Sequence, residues 1–431
     1  MRRTGTRTGH GTAGRAARTP LRALGVVTAL GAVLTASACG SGAGGEQTAA
    51  DEKQTLTVWA MGAEGEKLAE VADAYEKKNP HIKVKVTPIG WDVAHQKLVA
   101  AAAGGNLPDM AQMGTTFMGE FAQLDALEPV DTKVFDKGDF FPAAWENNVV
   151  DDQVYGVPWY VDTRVLYYRT DLAKKAGVDQ APRNWKDLAK LATAYQKDAD
   201  TRWGVSLQPS GLDTWQNWLP FLYSAGGELL DKDGKPALDS PQSVKALKEY
   251  GSYFDKGLAK KSVQPGYDVV KDFGKGTVPM FFSGPWQMTN IAENQPKLKG
   301  KWKAAAVPAD ASSTSFAAGA NLVTFKDSPH KAAAKEFTRY LTSTTQQVDW
   351  NKRTNNLPAN KAAWKAGDLT RSADLRVFRA QMDSAKPVPA IAKWAEFGAR
   401  VDQAVADVTQ GKASPRQAAA KMQKATAGLV D

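Results

Sequence analysis

The run at residues 155–172, Tyr-Gly-Val-Pro-Trp-Tyr-Val-Asp-Thr-Arg-Val-Leu-Tyr-Tyr-Arg-Thr-Asp-Leu, constrains the chain more than any other stretch. Val157, Val161, Val165, Leu166, Tyr167 and Tyr168 are the β-branched, aliphatic and aromatic residues that fill buried strands. Asp162 and Arg164 stand inside that run. A charge within a strand is costly unless it is paired, solvated or met by a ligand. Two arrangements meet that condition. One is an edge strand with a wet face. The other is a strand that crosses from one lobe to another and lines the cleft between them. Gly156 and Pro158 set a turn and an extended entry just upstream, which suits the crossing.

Before this run, residues 55–59 alternate as a strand. Leu68, Val71, Ala72 and Tyr75 recur at helical spacing, and Asn79-Pro80 stops that helix. Ile82, Val84 and Val86 form the next strand, residues 93–103 a helix closed by Gly104-Gly105, and residues 108–113 a third strand. This order implies parallel pairing and an α/β lobe. Ligands of such sheets meet the loops that follow the strands, here residues 60–64, 89–92 and 114–118.

After the run, Asn184 is placed to cap a helix, and residues 203–207 read as a strand. Trp215, Trp218 and Leu222 share one face of a helix, so core packing is the default for these tryptophans. Ser240-Pro241 opens another helix. A strand at residues 278–282 ends in Ser-Gly-Pro and delivers Trp286 at its tip. An indole there either anchors a helix start in the core or stacks on a flat ligand. Residues 316–323 return to the first lobe, where Asn321 is a ligand contact or a turn former. Helices follow from Ser328-Pro329 and over residues 394–409 and 414–427.

Residues 1–38 hold six arginines and no acid, with an apolar run at residues 23–34 before Thr35-Ala36-Ser37-Ala38-Cys39. This is the pattern of a secretory signal. Its apolar run is about half the ~20 residues that a spanning helix needs. The only cysteine, Cys39, stands where a lipoprotein signal would be cut and lipidated. The segment resembles a bacterial lipobox, with Ala36 where leucine is usual; the alternative is a secreted protein with an idle cysteine. Cleavage before Cys39 leaves 393 of the 431 residues (431 − 38) and takes the formal charge from +9 to +3, because six arginines leave. The basic balance therefore belongs to the signal and points to no nucleic acid. Residues 39–53 read as a flexible tether. With no second cysteine, the core is held by packing and not by disulfides.

Several motifs together carry a family resemblance. Tyr155-Gly-Val-Pro followed by Asp162-x-x-x-Leu-Tyr-Tyr-x-x-Asp-Leu resembles the first hinge of the extracellular solute-binding proteins of ABC importers. It is closest to the carbohydrate-binding group (family 1) that includes maltose-binding proteins. Trp59 before a small-residue loop, Asn79-Pro-x-Ile-x-Val, and Gly105-Asn-Leu-Pro-Asp109 are usual there. So are Gly276-x-x-x-Met-x-x-x-Gly-Pro-Trp286, Gln346-x-x-x-Trp350 and Pro389-x-x-x-x-Trp394. The resemblance spans roughly residues 54–428. It implies an α/β, two-lobed periplasmic-binding-protein-like fold of class II type, with a hinge and a ligand cleft between lobes. Residues 54–161 plus 313–347 would form the N-terminal lobe and residues 162–312 plus 348–431 the C-terminal lobe. It also implies a monomeric binding lipoprotein on the outer face of the cell membrane, without a cofactor. Such a protein hands a sugar, here an oligosaccharide, to membrane permease subunits served by a separate ATPase. In that family the acid at the Asp162 position accepts sugar hydroxyls, and the tryptophan at the Trp286 position stacks on a sugar ring.

The residue types agree with such a ligand. Sugars present apolar C–H faces, which aromatic rings meet, and a rim of hydroxyls, which carboxylates, amides and guanidinium groups bind. The aromatic candidates are Trp91, Trp159, Trp215, Trp286, Trp350 and Trp394. The polar candidates are Glu64, Asp92, Thr116, Asp162, Arg164, Asn321 and Arg353. After signal removal only His81, His95 and His330 remain, none at metal-ligand spacing. No phosphate loop, Gly-x-Ser-x-Gly or His-Glu-x-x-His occurs. Two rival readings stay open: a lipoprotein glycosidase using paired carboxylates, and the same fold binding a polyamine, peptide or metal.

Overall fold

The computed structural model describes residues 52–264, 267–366 and 369–430. The signal, Cys39 and nearly all of the tether lie outside these residues. In chain order the strands are β1 (Gln54–Met61), β2 (Ile82–Ile89), β3 (Met110–Gly114), β4 (Val149–Val150), β5 (Gln153–Val154) and β6 (Val157–Asp162). They continue with β7 (Val165–Arg169), β8 (Met280–Ser283), β9 (Trp302–Ala305), β10 (Phe316–Thr324), β11 (Leu357–Pro358) and β12 (Lys386–Pro387). Seven of them form one sheet in the order β11-β6-β10-β3-β1-β2, with β12 added on β10. A second sheet runs β8-β7-β9, and β4 pairs β5 in a small hairpin.

The expected parallel unit is present: β1 pairs in parallel with both β2 and β3. Every residue of β3 is buried, as in a strand covered on both faces. On one face of the large sheet Leu56, Val58 and Ala60 pack with Leu68 and Phe337. On the other, Met61 and Ile89 pack with Leu98 and Phe121. The small sheet is antiparallel, with Tyr167 stacked on Phe281 at 4.9 Å and 1°. One of its faces lies under a helical layer built on Trp218, Leu247, Tyr250 and Phe254.

The run at residues 155–172 holds two strands. β6 lies inside the large sheet between β11 and β10, and β7 is the middle strand of the small one. The edge-strand arrangement is thereby overturned. The chain crosses between sheets at Thr163-Arg164, so Arg164 sits in the break and Asp162 ends the β6 ladder opposite Ala318.

Two other expectations change. The helix after β1 spans Gly62–Glu76, with no intervening loop; Gly62 adopts φ +59°, which lets the chain turn at once. Residues 203–207 form no strand. Their backbone donors alternate between partners, Trp203 to Thr277 and Ser206 to Met280 but Gly204 and Val205 to Leu258. Only an isolated bridge, Ser206 to Phe281, results. Residue 347, where a change of lobe is expected, lies against the large sheet. Gln347 donates to the Trp159 carbonyl at 2.6 Å and accepts from Ala359 N at 2.8 Å, and β11 pairs with β6, so residues 348–358 stay with the large sheet.

Candidate functional site

The ends of β1, β2 and β3 converge on Trp91. This residue opens the helix Trp91–Ala103 directly after Gly90, with 40% of its surface exposed. Its indole lies across two glycines. A Cβ at Gly62 would come within 2.8 Å of Trp91 Cδ1, and one at Gly114 within 3.3 Å of Trp91 Cζ3. Gly62 leaves room for the ring, and Gly114 leaves it a close but tolerable fit. Glu64 stands beside it, half-buried, and accepts from Asn356 Nδ2 at 3.0 Å. Asp92 is exposed in the same first helical turn. Thr116 is half-buried in the short turn Thr115–Phe117, where Thr115 donates to the Gly319 carbonyl at 3.2 Å.

At the crossing, Arg164 is almost wholly buried. It pairs with Asp162 at 2.7 Å and donates to Gln216. Its guanidinium also lies 4.8 Å from the Trp286 ring centre and 5.1 Å from that of Phe316. A buried guanidinium held by a carboxylate, an amide and two ring faces has its charge compensated on every side. Asp162 keeps part of its carboxylate open to solvent. Trp286 begins the helix Trp286–Asn294 at the end of β8 with 38% of its surface exposed. Its ring folds back over Gly284, where a Cβ would lie 2.0 Å from it.

A third group adjoins this one through Phe316. Trp215 packs on Phe316 at 5.6 Å and edge-on to Trp394 at 4.9 Å and 78°. The helix Trp394–Thr409 also packs against the Thr115–Phe117 turn, which brings the two sides of the cluster together. Trp215 is held by two aspartates. Asp213, at φ +63°, accepts from the indole N–H at 3.1 Å. Asp402 accepts from the backbone N–H of Trp215 at 2.7 Å and of Asp213 at 2.9 Å. Burial pushes the Asp402 carboxyl up to about 7, with the Asp213 charge adding to the shift and the two N–H groups opposing it.

Asp162, Arg164, Trp215, Trp286 and Trp394 are thus one cluster, and Glu64, Trp91 and Thr116 lie at the neighbouring strand ends. Four candidates fall elsewhere. Trp159 and Trp350 stack on each other at 4.5 Å inside the core of the large sheet, with no surface left for a ligand. Their spacing reports packing. Arg353 points outward into ion pairs with Asp349 and Glu70. Asn321 is buried in β10 and accepts from Asn148 Nδ2 at 2.9 Å. Sequence reasoning missed Phe316, Gln216, Asp213, Asn356 and Asp402. Gln216 adjoins a singled-out tryptophan, and Gly211-Leu-Asp213 is a turn signal; nothing local marks Asp402, which acts across 187 residues.

Among the described residues no group of three or more His, Cys, Asp or Glu is placed to hold a metal ion. No helix there is long and apolar enough to cross a membrane. One Ser–His–Asp set occurs, but its geometry is structural. Ser328 Oγ, at 2.7 Å, and His330 Nδ1, at 3.0 Å, both meet the same oxygen of Asp109, so the histidine does not activate the serine. Asp109 also accepts from Thr57 N at 2.7 Å and Thr57 Oγ1 at 2.6 Å. Burial alone would raise its carboxyl, yet these donors hold it below the usual carboxylate range.

Residues 60–348 match the sequence pattern of the bacterial extracellular solute-binding proteins. The chain belongs to that family. A protein of Brucella abortus (strain 2308), which carries only a provisional binding-protein name, is 30% identical over 83% of this chain and 89% of its own. The maltodextrin-binding protein MdxE of Bacillus subtilis (strain 168) is 26% identical over 86% and 88%. The sugar-binding protein MalE from Xanthomonas citri superposes with a TM-score of 0.81 at 32% identity, covering 88% of this chain and 97% of that one. The architecture is therefore the two-lobed periplasmic-binding-protein fold, with the large and small sheets as the centres of its lobes. Its homologues include maltodextrin-, diacetylchitobiose- and sn-glycerol-3-phosphate-binding proteins.

Proposed function

We propose that the protein captures a saccharide, an oligosaccharide in preference to a single sugar, between its lobes and delivers it to the membrane permease of an ABC importer. The observation that carries this reading is a pair of exposed indoles. Trp91 rises from the loops of the large sheet and Trp286 from the end of β8 in the small one. Carboxylates stand beside each, Glu64 near the first and Asp162 near the second. Two ring faces with acceptors at their edges suit a chain of sugar units better than a small ion. Closure of the lobes about the 163–164 break and the two other crossings would bury the ligand. Residues 54–162 with 313–358 act as one lobe and residues 163–312 with the C-terminal helices as the other. Glu64, Trp91, Asp162 and Trp286 are the proposed ligand residues, with Thr116 and Asp92 at the rim and the buried Arg164, Trp215 and Trp394 behind them.

The protein acts as a monomer that binds without chemistry. Asp402 beside Asp213 is the pair nearest to a glycosidase arrangement, but both Asp402 oxygens already accept backbone N–H groups. A general acid needs its proton directed at the leaving group. The test is calorimetric titration with malto-oligosaccharides, chito-oligosaccharides and cellobiose, followed by chromatography of the recovered sugar. Saturable heat with unchanged sugar is expected; release of shorter products would establish a hydrolase. A lipid on Cys39 tethers the protein to the outer membrane face in this reading. Cys39→Ser should then move it from the membrane fraction to the medium, and retention in that fraction would refute the anchor.

A further inference from the structure

The two lobes meet backbone to backbone at Gly119. This residue is buried in the short helix Met118–Gln123. Met118 and Phe121 of that helix pack with Met61, Ile89 and Leu98 on the large sheet. Facing Gly119 is the stretch that leads into the helix Trp394–Thr409. Its residues Val388, Ile391 and Trp394 belong to the core that holds Trp218 and Tyr250 beside the small sheet. A Cβ at Gly119 would lie 2.4 Å from the Ala390 carbonyl oxygen and 2.6 Å from the Ile391 carbonyl carbon. The facing stretch is braced: Val388 N–H donates to Asn147 Oδ1 at 2.9 Å, and Lys386-Pro387 pair with the start of β10. The dihedrals of Gly119 do not call for glycine, since its φ is not positive and alanine is the better helix former. Only the backbone of the opposite lobe excludes a side chain there.

Each side of this contact leads to an aromatic wall of the cleft. Glu120, the next residue, pairs with His95, one turn along the helix that Trp91 opens. His95 packs on Phe117 at 5.0 Å, and Trp91 and Phe117 both lie against Gly114. The Gly119 helix is thereby tied to Trp91. Across the contact, Ala390 stands four residues before Trp394, which packs on Trp215. Trp215 continues through Phe316 and Arg164 to Trp286. We infer that Gly119 is a positioning residue for saccharide binding: it is the stop at which the closing lobes come to rest, and its lack of a side chain sets how near the two aromatic walls approach. This rests on the saccharide-binding reading above and deepens it by naming the contact that fixes the cleft width. A methyl group at this position brings 2.4 Å to an ordinary 3.4 Å contact only if the lobes part by about 1 Å (3.4 − 2.4). A gap of about 1 Å forfeits up to about half of each van der Waals contact with a ligand held between the walls.

The experiment compares wild type, Gly119→Ala and Gly119→Val in the soluble 46–431 form, which lacks the only cysteine, Cys39. Calorimetry with maltose, maltotriose, cellobiose and N,N′-diacetylchitobiose reads affinity, and urea unfolding without ligand reads stability. Pulsed electron paramagnetic resonance between nitroxide labels on Lys78→Cys and Lys232→Cys, exposed positions on the two lobes, reads closure. Gly119→Ala should weaken binding of the best saccharide by about tenfold and Gly119→Val by more. The urea midpoint of Gly119→Ala should equal or exceed that of wild type, because open lobes leave the position free and alanine favours the helix. A midpoint that falls in step with the affinity would mean ordinary core packing and would overturn the inference. At saturating saccharide, wild type should reach a short inter-label distance that neither variant reaches; variants that reach it would also overturn it. If wild type binds none of the four sugars, the saccharide reading fails, and the stop is then judged on the ligand-free distances. The shortest distances of wild type should be missing from Gly119→Val, and their presence there would refute the stop by itself.

Discussion

Asp402 offers a perturbation whose sign and size follow from its surroundings. The carboxyl is buried under the Trp215 helix, and its proton affinity rises from 3.8 to about 7. An unfolded chain exposes the same carboxyl to water. Between those two pH values the native protein binds the proton that the unfolded chain has lost, so stability falls as pH rises through this window. A shift of about 3 units at ~1.4 kcal/mol each amounts to about 4 kcal/mol. Asp402→Asn cannot titrate and removes this slope. It also leaves one of the two N–H groups, of Trp215 or Asp213, facing an NH₂, which costs about 1–3 kcal/mol. The variant should therefore be the less stable protein near pH 4 and the more stable one near pH 8. The two curves should cross at about pH 5 to 6. Urea unfolding of both proteins at intervals from about pH 4.5 to about pH 8 measures this, because all other titrating groups cancel in the difference. Parallel curves would refute the reasoning, since they would mean that Asp402 is no harder to ionise in the fold than in the unfolded chain.

The remaining predictions concern the indoles. Trp286→Ala should weaken saccharide binding by about 1–3 kcal/mol, as for loss of an aromatic anchor; calorimetry on a folded variant showing wild-type affinity would remove Trp286 from the site. Gly284→Ala should weaken binding comparably although it deletes nothing, because its Cβ would lie 2.0 Å from the Trp286 ring and displace it. A crystal structure of that variant with the indole unmoved would count against the fit described here. Trp159→Ala should lower stability by about 3–5 kcal/mol, since it empties a fully buried site stacked on Trp350. A loss below about 1 kcal/mol by urea unfolding would show that the pair is not core.

Much of the fold was legible because its signals are local and periodic. The alternation in β1, the helical spacing that follows it and the Asn79-Pro80 stop produced the parallel unit that the structure contains. Asp162 and Arg164 were legible as out of place within an apolar run, and the structure explains them by the break between sheets. Trp286 at a strand tip was legible from Ser-Gly-Pro before it. What sequence could not separate was a tryptophan in the core from one at a surface. Trp159 and Trp91 both follow short apolar runs, yet one is fully buried and the other 40% exposed. That difference is set by Trp350, which arrives from 191 residues away in the chain. Asp402 was illegible for the same reason, because its partners are assembled by the tertiary fold. The Trp203–Leu207 stretch misled because its backbone donors are shared between two neighbours.

The most direct test of the central claim is the intrinsic tryptophan fluorescence of the soluble 46–431 form, titrated with mono- and oligosaccharides. Trp91 and Trp286 are 40% and 38% exposed, so their burial under a sugar should shift the emission. The account predicts a saturable shift with one class of oligosaccharide and a weaker or absent response to its single sugar units. A folded protein whose emission no saccharide changes would contradict it.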